Sequence, residues 1–129
     1  MTEQELNAIY YLDIQIRRIK RRIAELPADT IGGASDTSGV RSSQPGDPTG
    51  RLAQKKIQLL EQLNETLEKK IEAEIAIRAF IDRVEDEEIK TIIELRCIYQ
   101  ESWETIGREL HADRTTVSKK FRIYLKKFR

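Results

Sequence analysis

Eight side chains near the end of this sequence have the types and spacing to do chemistry: Arg114, Thr115, Thr116, Ser118, Lys119, Lys120, Arg122 and Lys126. Wound as a helix, Val117, Phe121 and Leu125, with Phe128 beyond, fall on one side. Arg114, Thr115, Ser118, Lys119, Arg122 and Lys126 fall on the other, with Thr116 and Lys120 at the margins. The chemistry this permits is recognition, not bond-making. Arg and Lys can donate to guanine O6 and N7, and Thr can hydrogen-bond a base or touch a thymine methyl. Cations further along the helix can meet phosphates. A basic solvated tail is the plain alternative, and the residues before it decide between the two.

Covalent chemistry has little to draw on. The chain holds one cysteine, Cys97, and one histidine, His111. Cys97 lies in an apolar block and reads as a small buried hydrophobe. His111 reads as an exposed turn residue that could touch a phosphate. There is no glycine-rich phosphate loop, no metal-ligand cluster and no nucleophile–base pair, so no enzyme activity, cofactor or metal is expected. A lone cysteine also excludes an internal disulfide and fits a reducing compartment.

The basic helix needs elements to aim it. Ser102 is a good N-cap for a short helix through Leu110, with Trp103, Ile106 and Leu110 on one buried face. Trp103 is read as core, tying this helix to the one before. Gly107, mid-helix, costs about 1 kcal/mol against Ala and makes sense where another helix crosses closely. His111 and Ala112 form a turn, Asp113 caps the next helix, and that helix runs from Arg114 to about Lys127. Two short helices, a three- to four-residue turn and a small residue in the first make a helix-turn-helix. Upstream, Glu85, Asp86, Glu87 and Glu88 open the preceding helix, where carboxylates suit the positive end of its dipole.

The N-terminal two-thirds reads as an assembly element. Residues 1–26 form a coiled-coil helix in which Ile9, Leu12, Ile16, Ile19, Ile23 and Leu26 follow the 3/4 alternation of a heptad. Thr2 with Glu5 fits a capping box, and Pro27 ends the run. The Arg- and Lys-rich flank from Arg17 to Arg22 is read as cations pairing across that seam. Residues 27–50 hold all three prolines and five of the six glycines and form a flexible, largely disordered linker. Residues 51–84 form a longer helix pairing with the first, with Leu52, Leu60, Leu63, Leu67, Ile71 and Ile75 as its stripe and Ala79 and Phe80 continuing it. At 1.5 Å per residue the helices are roughly 35 and 50 Å long. Neither can bury its stripe alone, so they close as a hairpin within one chain or associate between chains.

The expected fold class is therefore all-α, a long N-terminal coiled-coil helical hairpin joined to a C-terminal helix-turn-helix domain at 85–129. Composition agrees: charged residues are 35% and aromatics 6%, as for a soluble helical protein with long solvated faces. Net charge is +1, but residues 111–129 hold seven basic groups against Asp113 alone. No apolar run reaches the roughly 18 residues of a membrane span, and the polar, acidic start is expected to carry no secretory leader.

The stretch from Phe80 to Phe128 resembles region 4 of bacterial sigma factors and the sigma-like helix-turn-helix of small phage regulators. The residues that carry the likeness are Ile92 to Tyr99, then Ser102-Trp103-Glu104-Thr105-Ile106-Gly107, then Arg114-Thr115-Thr116-Val117. Cys97 departs from it, standing where an aromatic is usual after the Leu-Arg pair. The wider layout is similar to phage late-transcription regulators of the ArpU/RinA type, which join a coiled-coil hairpin, a Ser/Gly/Pro-rich loop and a sigma-like module. The resemblance implies a DNA-binding activator of phage or prophage late structural and packaging genes, in the bacterial host cytoplasm. Its implied partners are double-stranded DNA, host RNA polymerase and further copies of itself, bound through the helical N-terminal region. A dimer would place recognition helices on half-sites about 34–36 Å apart. Two other readings suit the same parts: a small terminase-like DNA-packaging subunit, and a coiled-coil protein–protein adaptor whose basic helix binds an acidic surface.

Overall fold

The first helix starts on a reciprocal cap: the Glu5 amide donates to Thr2 Oγ1 at 3.2 Å, and the Thr2 amide donates to Glu5 Oε2 at 3.3 Å. A computed structural model describes residues 1–27 and 48–127. Among these residues all regular structure is helical and no strand occurs: α1 (Glu3–Leu6), α2 (Ala8–Ala24), α3 (Pro48–Asp82), α4 (Glu87–Ile93), a π-helical segment (Glu94–Ile98), α5 (Trp103–Glu109) and α6 (Arg114–Lys126).

The expected single helix over 1–26 is thus two, broken at Asn7, whose amide is shared between the Glu3 and Gln4 carbonyls. The expected linker over 27–50 is shortened from its C-terminal side, because Pro48 already opens α3. Proline suits a first helical position, where its missing N–H costs nothing. The rest of that linker, residues 28–47, lies outside the described residues.

The described chain divides into two units. The first joins Met1–Asp13 to Lys69–Arg129. Its core contains Ile92, Ile93, Cys97, Ile106, Val117, Phe121 and Leu125, and also Leu6, Ile9 and Ile77 from α1, α2 and α3. Most of this core comes from residues 84–125, and Leu6, Ile9 and Ile77 join it. Leu6, Ile9 and Ile77 are fully buried in it, and burying each such side chain is worth about 1.5–3 kcal/mol. The Lys70 ammonium closes the same unit at 2.7 Å from the Asp13 carboxylate.

The π segment has a packing cause. Ile92, Ile93, Cys97 and Ile98 are all buried, but on an α-helix residues five apart diverge by about 140°. The Tyr99 amide instead donates to the Glu94 carbonyl, five residues back, at 3.2 Å. That wider turn brings both pairs onto one side. The segment ends at Gln100, left-handed at φ 58°, whose side-chain amide donates to the Cys97 carbonyl at 2.7 Å.

The second unit spans Ile14–Glu68. Ile16, Leu59 and Thr66 are buried in it, and Ile19, Ile23, Leu52 and Leu63 are half-buried. The Thr66 hydroxyl, carried into this apolar stripe, donates to the Gln62 carbonyl at 2.8 Å.

The α2 seam faces inward as its spacing predicts, and Tyr10 and Tyr11 lie off it, exposed and packed edge-on to each other at 5.2 Å. The stripe expected on α3 does not. Leu60, Leu67, Ile71 and Ile75 are exposed, as is Ala79, and only Leu52, Leu63 and Phe80 of that set are covered. The covered positions instead run Leu52, Lys56, Leu59, Leu63, Thr66, Lys70, Ala73, Ile77, Phe80 and Val84, spaced 4, 3, 4, 3 throughout. Two apolar stripes about 100° apart share this helix, and the one with Thr and Lys in it is the one that packs inward.

Burial pushes the Cys97 thiol up to about 12. Native protein at pH 8 should resist Ellman's reagent, with Cys97 labelled only as denaturant opens the unit. Stoichiometric labelling of the native protein at the rate of a free thiol would refute this packing.

Candidate nucleic-acid interface

Backbone geometry sets how α6 stands on α5. The Ser102 hydroxyl accepts the Thr105 amide at 3.2 Å and starts α5. At its end the His111 amide donates to the Arg108 carbonyl and the Ala112 amide to the Gly107 carbonyl, at 3.3 and 2.8 Å. This is a Schellman stop with His111 left-handed at φ 55°, a place that favours glycine. Asp113 then caps α6, its carboxylate accepting the Thr115 amide at 3.0 Å. That bond, first among several, holds the Asp113 carboxyl below its ordinary 3.8.

Gly107 explains how short the turn can be. A Cβ there would lie 2.6 Å from the Ala112 carbonyl oxygen and 3.2 Å from the Arg114 nitrogen. The close approach is of backbone, that of the turn and of the first residue of α6.

The inward side of α6 is locked. Val117, Phe121 and Leu125 are buried, and the Phe121 ring meets that of Trp103 at 5.2 Å. Trp103 is half-buried between that ring and the Arg96 guanidinium, which lies 4.5 Å over its face.

Outward, the eight residues divide into three sets. Thr115, Lys119, Arg122 and Lys126 form an exposed line along α6, spaced 4, 3 and 4 residues and running about 16 Å. Arg114, Thr115 and Ser118 border a shallow cleft shared with Arg96, Ser102, Trp103 and Glu104 at the start of α5. Ser118 is half-buried there, its hydroxyl donating to the Thr115 carbonyl at 3.2 Å. On the far margin Thr116 is exposed, while the Lys120 ammonium pairs with the Glu88 carboxylate of α4. The structure thus groups six of the eight on or beside one accessible side, leaves Thr116 exposed at its margin and ties Lys120 to Glu88. Phe128 lies outside the described residues.

Two cations escape a reading of the sequence. Arg96 donates to the Glu101 carbonyl at 3.0 Å and, stacked on Trp103, is held at the cleft beside Arg114. Arg108 lies with Glu104, Asp113 and Arg114 around a second shallow cleft on the turn side. The signal for Arg108 is its place as the exposed cation next to Gly107. Arg96 gives no such signal, because a π turn sets its direction. The helix α6 itself carries no acidic residue, so this side presents cations and hydroxyls without a competing carboxylate from its own helix.

Among the described residues no three His, Cys, Asp or Glu side chains gather as metal ligands would, and no helix is long and apolar enough to cross a membrane. The arrangement places cations and hydroxyls together on one exposed side of α6.

Three substitutions test the aiming geometry. Gly107→Ala should destabilise by about 1–3 kcal/mol through overpacking, although propensity alone would stabilise by about 1 kcal/mol. His111→Gly should raise stability by about 0.5–1 kcal/mol, since the left-handed cost of about 1–2 kcal/mol exceeds the added chain entropy. Denaturant melts report both signs. For Asp113, the lowered folded pKa means its stabilisation is full above 3.8 and is lost as pH falls through the folded value. The stability difference between wild type and Asp113→Asn should therefore shrink below that pH, and a difference constant with pH would refute the assignment.

Compared with known proteins, the chain matches no family model, no curated protein and no solved structure.

Proposed function

We propose that the chain is a sequence-specific DNA-binding transcription regulator, in which α5, the turn and α6 form a helix-turn-helix and α6 is the recognition helix. In this reading Arg114 and Thr115, at the start of α6, face base edges, while Lys119, Arg122 and Lys126 follow the phosphates. In the same reading Arg96 and Arg108 take flanking phosphates. α2 and α3 form a coiled-coil hairpin that carries the module and joins copies of the chain into a homo-oligomer. The likeness to the sigma-like phage regulators extends the reading to activation of phage or prophage late genes, with host RNA polymerase as a second partner, in the bacterial cytoplasm where that DNA lies.

The observation that carries the reading is the division of α6 into two opposed sides. Val117, Phe121 and Leu125 are buried on one, and Thr115, Lys119, Arg122 and Lys126 are open to solvent on the other. A helix held on one side by a core and lined on the other with cations is the form that fits a major groove.

The test is duplex selection from a random pool, followed by affinity against salt. Lys119→Ala with Arg122→Ala should lower the slope of log K against log salt by about 1.8, at roughly 0.9 for each phosphate that is no longer neutralised. Arg114→Ala should cost about 1–3 kcal/mol on the selected site and relax one base position. Lys120→Ala, already paired with Glu88, should change the slope least. A pool that enriches no sequence, with a slope the double variant leaves unchanged, would overturn the proposal.

A further inference from the structure

The α3 stripe that packing leaves outside has an internal order of its own. Ile57, Leu60, Leu67 and Ile71 are 55, 45, 37 and 61% exposed, large values for aliphatic side chains on a helix already covered along another side. Their spacing, with the exposed Asn64 between, is 3, 4, 3 and 4 residues. Written as a heptad, Ile57, Asn64 and Ile71 take a positions and Leu60 and Leu67 take d positions.

That pattern names its occupant. Ile at a with Leu at d favours two parallel strands, and one Asn at an a position specifies register and two-chain association, because it is satisfied only against its own counterpart. The flanks agree. Lys56 precedes the first a position at a g site, and Glu61 and Glu68 follow the d positions at e sites. In a parallel, in-register pair the g residue faces the e residue five further along the second helix. Lys56 of each copy then meets Glu61 of the other, twice by symmetry. An antiparallel pair sets e against e and opposes Glu61 and Glu68 with like charge. Two heptads are too short to form such a pair from free peptides, but here α3 is already helical through its covered side, so association need not nucleate it.

We propose that the chain dimerises through this side of α3, parallel and in register, with a second copy of itself as the partner and the Asn64 pair at the centre of the seam. The proposal gives the homo-oligomer reading above a definite surface and rests on it, but it does not depend on DNA binding.

The experiment uses the full chain, with mass measured by light scattering at micromolar concentration. Wild type should show twice the monomer mass. Leu60→Glu with Leu67→Glu should halve it with helical circular dichroism unchanged, since both side chains are exposed in the single chain. Ile57→Cys should oxidise to one covalent dimer, because only a parallel, in-register pair brings residue 57 to its counterpart, and buried Cys97 should stay reduced. Asn64→Ile should raise thermal stability and admit species larger than a dimer. A monomeric wild type would overturn both this proposal and the oligomer reading. A double variant that keeps the wild-type mass would overturn this surface alone. A dimer in which Ile57→Cys does not cross-link would overturn the parallel register.

Discussion

The interaction on which the rest depends is backbone against backbone, at Gly107. The turn after α5 folds back until the Ala112 carbonyl would lie 2.6 Å from any Cβ at that position. No rotamer change relieves such a clash, since the opposing atom belongs to the main chain. The approach lets Asp113 cap α6 directly beside α5, and it fixes which side of α6 meets Trp103 and Ile106. A wider turn would change the angle at which α6, and the line of Thr115, Lys119, Arg122 and Lys126 on it, stands on α5. The His111 conformation belongs to the same constraint: a left-handed residue is needed to stop α5 within one step, and histidine accepts that strain of about 1–2 kcal/mol.

Around Gly107 the charges are unevenly distributed. Carboxylates are gathered at helix starts, where Asp86 accepts the Glu88 and Ile89 amides and Asp113 accepts that of Thr115. Glu88 engages Lys120 on one flank of α6. The Arg78 guanidinium donates to Glu74 at 3.1 Å and to Glu94 at 3.2 Å and so fastens α3 to the π segment. The remaining cations of α6 face solvent. The strong local positive charge of the last helix is therefore concentrated on one side.

The long helix α3 shows how periodicity misleads when a helix has two apolar stripes. Leu59 and Leu60 are neighbours in sequence and about 100° apart on the helix. Leu59 is buried, and Leu60 is not. The stripe with more Ile and Leu looks like the interior by composition. The covered one contains Lys56, Thr66 and Lys70, yet its unbroken 3/4 spacing runs through Ala73 and Ile77 into the core of the first unit. Long side chains such as Lys can lie along a covered stripe with their ends at the rim, and Thr66 satisfies its hydroxyl on its own helix. Neither is evident from counting apolar residues.

Local chemistry was legible in the sequence wherever a residue's type alone dictates what the backbone does. The caps at Thr2, Ser102 and Asp113, the stop near Leu110 and the two sides of α6 all follow from short-range spacing, because capping and amphipathicity act within one or two turns. Tertiary structure decided what depends on partners distant in the chain. It joined Leu6, Ile9 and Ile77 to the core of the first unit, widened the helix at Glu94–Ile98 so that two buried pairs could share a side, aimed Arg96 across Trp103, and chose between the stripes of α3. Each of those outcomes is set by which surfaces are removed from water together, and burial is a property of the assembled chain, not of any window of its residues.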